Sequence, residues 1–223
     1  MNSSRPGKPL EQPLEPSPPA GARAVAGMLA LLLVTTVLVA GTWRYTRQAI
    51  ADNVADRTLE EISTVLPASL YDNAPHRDAV LLDTGGGRPV PVYRARRNGV
   101  PVAAVLTVIA PDGYVGPVRL LVGIAADGRV LGVRVSAHAE TPGIGAAIAD
   151  PGSPWLAGFA GRSMADLPDA RWALRNDGGD FDAIAGATVS SRAVVGGVHR
   201  AVQYFTTHQD EIFARPGTPQ VTE

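Results

Sequence analysis

From Ala24 to Trp43 the chain runs AVAGMLALLLVTTVLVAGTW, twenty residues without a charged side chain. At about 1.5 Å of rise per residue, a helix of that length covers about 30 Å, the thickness of bilayer hydrocarbon. So apolar a run has no polar face to turn toward water, and it predicts a transmembrane helix over 23–43. The rival reading is a cleaved signal peptide, but its apolar core spans only about 7–15 residues. No Ala-x-Ala follows the run before Arg44 either. Arg5, Lys8 and Arg23 ahead of the span are matched by Arg44, Arg47 and Arg57 behind it, so charge alone does not orient it. The span holds no ionisable side chain at which an ion or proton could be relayed; alone, it anchors and does not conduct.

Six prolines in the first nineteen residues mark 1–22 as a disordered tail. Behind the anchor, Ala51, Ala55, Leu59, Ile62 and Leu66 recur at spacings of three and four, one face of a helix that Pro67 ends, giving a juxtamembrane helix within 44–70. A loop at Gly85-Gly86-Gly87 precedes β-like segments at Val90–Arg96 and Val100–Ile109, separated by Asn98-Gly99. Val118–Ala125 and Arg129–Ser136 flank Asp127-Gly128 in the same way, so two hairpins are expected. From Val189 onward, Val194, Val198, Ala201, Val202 and Phe205 repeat at helical spacing to about Ala214. Hairpins with helices segregated to either end define an α+β domain over 71–215, rather than a doubly wound α/β one, with a short disordered tail at 216–223.

Composition removes several kinds of chemistry. A net charge of −1 gives no global field toward nucleic acid. The absence of cysteine removes disulfides, thiolate nucleophiles, cysteine-ligated iron–sulfur clusters and Cys-zinc sites. The single lysine, Lys8, lies in the proline-rich tail, so Schiff-base catalysis is excluded too. Any redox chemistry therefore needs an added cofactor. Arg94, Arg96 and Arg97 read as a solvated strand edge, and His199 and His208 as surface residues.

Two stretches stand out. The first is Asp182-Ala-Ile-Ala-Gly-Ala-Thr188-Val-Ser-Ser191, where irregular chain becomes the last helix. Thr188 is either a plain helix cap, with Ser190 and Ser191 in the first turn, or part of a ligand site. Ala185, Gly186 and Ala187 leave the backbone bare for a bulky group, and a helix N-terminus suits a phosphate held beside the threonine hydroxyl. The second is His138-Ala-Glu140-Thr141-Pro142-Gly143-Ile144-Gly145, leaving the last strand. It reads as a strand exit, as a glycine-rich loop against a flat ring, or as a pair of metal ligands at His138 and Glu140, which at two residues is too few for a metal centre. No nucleophile motif such as G-x-S-x-G accompanies Glu140.

These stretches, with ISTVLPASLYDN after the anchor, GYVGPVRLLVGIAADGRVLGVRVSAHAETPGIG, the pair Trp155 and Phe159, and DAIAGATVSSRAV, resemble the G subunit of the Rnf (Rsx) ion-translocating electron-transport complex, within the wider FMN-binding domain family. The resemblance covers most of the chain. It implies FMN esterified through its phosphate to Thr188, the last residue of a Ser/Ala-Gly-Ala-Thr motif, by a flavin transferase that uses FAD and magnesium. Ala185 stands where family members often have serine, a small-for-small change. The resemblance further implies flavin contacts from Glu140, Thr141, Pro142, Gly143, Gly145, Asp182, Gly186, Ala187, Ser190 and Ser191, with Trp155 either stacking on the flavin or filling the core.

By the same resemblance, the tail is cytoplasmic and the flavin domain periplasmic, at a bacterial inner membrane. The chain is then an electron-transfer subunit, with no catalysis of its own, in a complex that links ferredoxin and NAD to ion movement. Its partners are the other subunits of that complex. Two alternatives are the C subunit of the sodium-translocating NADH:quinone oxidoreductase, which shares both motifs in a longer chain, and an anchored extracytoplasmic binding domain without flavin.

Overall fold

The computed structural model describes residues 20–84, 87–150 and 153–216. The proline-rich tail ahead of Ala20, Gly85 and Gly86 of the triple-glycine loop, and the end of the chain from 217 lie outside the described residues. The chain forms two units, Met1–Ile50 and Ala51–Glu223.

The first unit carries most of helix α1 (Ala20–Val65), whose segment Arg23–Arg47 is long and apolar enough to cross a membrane, with a mean hydropathy of 2.4. Its threonine hydroxyls are satisfied within the helix. Thr35, Thr36 and Thr42 donate to the carbonyls of Leu31, Leu32 and Leu38 at 2.9, 2.8 and 2.8 Å, which is what an apolar solvent demands of a polar side chain.

The second unit is built on one antiparallel meander: β1 (Ala79–Leu82), β2 (Val90–Arg97), β3 (Val100–Ala110), β4 (Val118–Ala125) and β5 (Val130–Ala137), paired in sequence order. Both expected hairpins form. Asn98 and Gly99 adopt φ of 51° and 78°, the left-handed pair that matches a tight turn to strand twist. The two hairpins join through β3 and β4, in register from Ala103 opposite Ala125 to Ala110 opposite Val118.

Alternate side chains leave β3 and β4 toward opposite faces, and both faces are buried. On one face Leu106, Val108, Leu120, Val122 and Ile124 pack with Val194, Val198, Val202 and Phe205 of the last helix, α3 (Thr188–Ala214). On the other, Ala103, Val105 and Leu121 pack with Ile62, Val65 and Leu66 at the end of α1. Gly123 and Gly132, cross-strand partners, are bare because Val65 lies on them; a Cβ at Gly132 would sit 3.0 Å from the Val65 Cα. A four-residue helix, α2 (Pro154–Ala157), and a run of tight turns link β5 to α3.

Two surface expectations are corrected. Arg94 is 2% exposed, and β2 is an interior strand. Its guanidinium pairs with Asp78 and donates to the carbonyls of Ile212, at 3.2 Å, and Arg215. Arg96 reaches Asp78 at 3.0 Å and the Phe213 carbonyl at 3.1 Å. The two arginines thus satisfy orphan carbonyls at the C-terminus of α3, where the helix dipole favours cations. Arg97 donates to the Ser69 carbonyl at 2.7 Å. The histidines of α3 are also half-buried: His199 stacks on Trp172 with ring centroids 5.5 Å apart and His208 on Tyr204 at 4.2 Å.

Candidate functional site

Antiparallel pairing brings the end of β3, the start of β4 and the end of β5 to one end of the sheet, as the pairs Ala110–Val118 and Arg119–Ala137 record. The start of α3 lies there too. Gly197 lets the helix approach so closely that a Cβ would fall 2.5 Å from Leu120 Cδ1 and 3.3 Å from Ala110 Cβ. Three connections therefore converge: the β3–β4 loop, the exit of β5, and the turn into α3. Between them is a cleft of about 420 Å³ lined by Tyr114, Glu140, Thr141, Ile144 and Gly145 from the first two and by residues 186–190 from the third.

Glu140 ties these connections together. Its carboxyl, 4% exposed, accepts a hydrogen bond from the Ser190 hydroxyl at 2.7 Å and from the Val115 amide at 3.3 Å. A Cβ on Gly113 would lie 2.7 Å from Glu140 Oε1, and one on Gly145 2.8 Å from Oε2, so both neighbours must be bare. The Glu140 amide donates to His138 Nδ1 at 3.2 Å, which turns this pair toward local structure rather than a shared ligand.

The turn into α3 is equally determined. Ala187 donates to the Ile184 carbonyl at 2.9 Å across Gly186, whose φ of 79° only glycine adopts without strain. The Ser191 hydroxyl accepts from the Ile184 amide at 3.0 Å and pins the turn to the helix. Ala187 occupies the cap position with no side-chain cap bond, and Thr188 is the first helical residue. The plain-cap reading of Thr188 is therefore corrected. The Thr188 hydroxyl is exposed to the cleft and, among the described residues, has no hydrogen-bond partner.

The sequence-predicted residues divide. Glu140, Thr141, Gly145, Gly186, Ala187, Thr188 and Ser190 line the cleft. Pro142 and Gly143 belong to the same turn without lining it, and Ser191 is buried behind it. Asp182 points elsewhere: its carboxyl pairs with Arg175 at 2.8 Å, and its carbonyl accepts from the Trp155 indole at 2.6 Å. Trp155 sits edge-on to Phe159, ring centroids 5.4 Å apart, packed against the core and away from the cleft lining. Arg192, next to the site in sequence, is committed to Asp177 through two bonds of 2.7 and 3.0 Å. Tyr114 and the Val115 amide did not emerge from the sequence; the turn formers Pro111, Asp112, Gly113, Gly116 and Pro117 around an isolated tyrosine are the signal that marks such a loop.

The lining suits a flavin mononucleotide. The volume falls within the range of about 300–1,000 Å³ usual for small-molecule sites. Bare Gly186 and Ala187 admit a large flat group, and among the described residues the lining contains neither lysine nor arginine. Negative charge there falls to the free amides of the first turn of α3, which a 27-residue helix presents with its positive dipole end.

An anchored FMN-binding-domain protein is the class these features define, and the FMN-binding domain family matches residues 113–203, from the β3–β4 loop into α3. Over most of its length the chain is similar to proteins named as the G subunit of the ion-translocating oxidoreductase complex. That of Pseudomonas aeruginosa is 45% identical over 188 residues, covering 82% of this chain and 87% of the relative. That of Cereibacter sphaeroides is 43% identical over 192 residues, 85% and 87% of the two chains, and that of Shewanella loihica is 38% identical over 202 residues, 89% and 94%. The chain belongs to this family, the G subunits of ion-translocating oxidoreductase complexes. That membership separates it from the C subunit of the sodium-translocating NADH:quinone oxidoreductase.

Proposed function

We propose that this chain is the membrane-anchored flavoprotein subunit of an Rnf-type ion-translocating oxidoreductase complex, with FMN esterified to Thr188 and the flavin domain on the periplasmic side. The observation that carries the reading is the Thr188 hydroxyl, exposed in the cleft wall without a protein partner among the described residues. Hydroxyls of helix residues normally return to a carbonyl one turn back, as those of Thr35 and Thr42 do. At the first position of α3 no such carbonyl is available, so the oxygen is free to carry a phosphoryl group. Esterification joins this oxygen to the FMN phosphorus of FAD, breaks the bond to the AMP phosphate and releases the hydroxyl proton.

When bound, FMN supplies one- and two-electron redox chemistry; the chain supplies position. The turn at Gly186 holds the threonine at the mouth, the first-turn amides of α3 would hold the phosphodiester charge, and Glu140 fixes the opposing loops. A covalent link suits a relay between fixed partners, since the cofactor survives repeated cycles without rebinding. With no ionisable group between Ala24 and Trp43, ion movement falls to other subunits. A cysteine-free domain fits the periplasmic side.

Co-expression with a flavin transferase tests the attachment. The wild-type chain gains the mass of an FMN phosphodiester and a fluorescent band on a denaturing gel, whereas Thr188→Val loses both and keeps its circular dichroism. A fluorescent Thr188→Val band overturns the assignment.

A further inference from the structure

Tyr114 belongs to neither apolar cluster of the Ala51–Glu223 unit. Every other described aromatic side chain of the Ala51–Glu223 unit packs in or against one of its two apolar clusters: Tyr71 and Tyr93 on one, and Trp155, Phe159, Trp172, Phe181, Tyr204, Phe205 and Phe213 on the other. Tyr114 instead stands 72% exposed on the wall of the cleft, across from residues 186–190. Ile144 and Val189, 54% and 41% exposed, extend the apolar lining around it. An aromatic ring left solvated at the mouth of a concave site is surface waiting to be covered.

Its loop is nevertheless held. The amide of the next residue, Val115, donates to Glu140 Oε1 at 3.3 Å, and Glu140 Oε2 accepts from Ser190 at 2.7 Å. Ser190 lies two residues beyond Thr188 on α3. One buried carboxyl therefore fixes the offset between the ring of Tyr114 and the hydroxyl of Thr188.

We propose that Tyr114 is the aromatic wall on which the flavin ring of an FMN attached at Thr188 rests, and that Glu140 is the positioning residue that holds this wall in place. The proposal rests on the reading of Thr188 as the attachment point. It assigns Glu140 to the protein scaffold rather than to direct flavin contact. A phenol in van der Waals contact with a flavin ring quenches flavin emission by lending an electron that returns as the excited state collapses. Stacking thus has a signature independent of turnover.

The test uses the full chain in detergent after co-expression with a flavin transferase. Attached flavin is counted by intact mass and by absorbance of the unfolded protein, and emission per flavin is compared before and after unfolding. Wild type is dim when folded. Tyr114→Leu, which keeps apolar bulk, brightens the folded protein severalfold at unchanged flavin content; Tyr114→Trp, which restores an electron-rich ring, is dim again. Glu140→Ala brightens it as Tyr114→Leu does, and Glu140→Gln, which can still accept from Val115, stays near wild type. A flavinylated Tyr114→Leu or Glu140→Ala protein as dim as wild type overturns the proposal, as does a wild type that is bright when folded. A wild type without any flavin overturns the Thr188 assignment and this proposal with it.

Discussion

The hydroxyl of Ser190 donates to the Glu140 carboxyl at 2.7 Å, across fifty residues of sequence, and this bond joins the turn that presents Thr188 to the loop leaving β5. Both groups are buried, with exposures of 1% and 4%. Among the described residues, removing the donor leaves the carboxyl with only the longer bond from Val115. Ser190→Ala should cost about 1–3 kcal/mol, the penalty of an unsatisfied buried acceptor. The check is the thermal midpoint of the full chain in detergent, followed by near-ultraviolet circular dichroism; an unchanged midpoint contradicts the strut.

Gly123 and Gly132 are paired across β4 and β5 where the end of α1 lies on the sheet. A methyl at Gly123 would collide with the Val65 carbonyl, which is backbone and cannot rotate away. Gly123→Ala should destabilise the domain by about 1–3 kcal/mol, as overpacking does. Gly116→Ala is the control, since its new methyl meets only Ala139 Cβ at 3.8 Å. Equal midpoints for the two variants would show that α1 does not press on the sheet.

The Asp166 carboxyl is held below its ordinary value of 3.8 by the hydrogen bond from Ser163, and then by Arg129. A carboxyl whose folded pKa is depressed contributes stability above its unfolded pKa and loses it as pH falls through the folded one. Asp166→Asn should therefore lower the midpoint at neutral pH and cease to matter once the pH is well below 3.8. Midpoints measured for both proteins across that range decide it; a difference that persists in acid contradicts the pairing. The group is exposed, so the effect is small and shrinks in salt.

Much of this molecule is legible in local sequence. Hairpin turns need left-handed residues, and Asn98, Gly99 and Gly128 supply them within the dipeptides Asn98-Gly99 and Asp127-Gly128. The apolar spacing of α3 and the uncharged run of α1 are equally local signals. Less legible is β1, whose four residues Ala-Val-Leu-Leu are too short to show alternation. The arginines of β2 read as solvated because their partners, Asp78 and the last carbonyls of α3, lie far away in sequence. The site divides in the same manner. The bare turn before Thr188 and the glycines after Glu140 are sequence features. Tyr114 enters only through pairing of β3 with β4, and Asp182 leaves because Arg175 holds it.

The flavin linkage is tested most directly by mapping peptides from native membranes. Trypsin cuts after Arg175 and Arg192, releasing residues 176–192 with Thr188, Ser190 and Ser191 as the only hydroxyl side chains. The account predicts that this peptide carries one FMN phosphodiester and that fragmentation places it on Thr188. A peptide recovered bare, or one modified on Ser190 or Ser191, contradicts it.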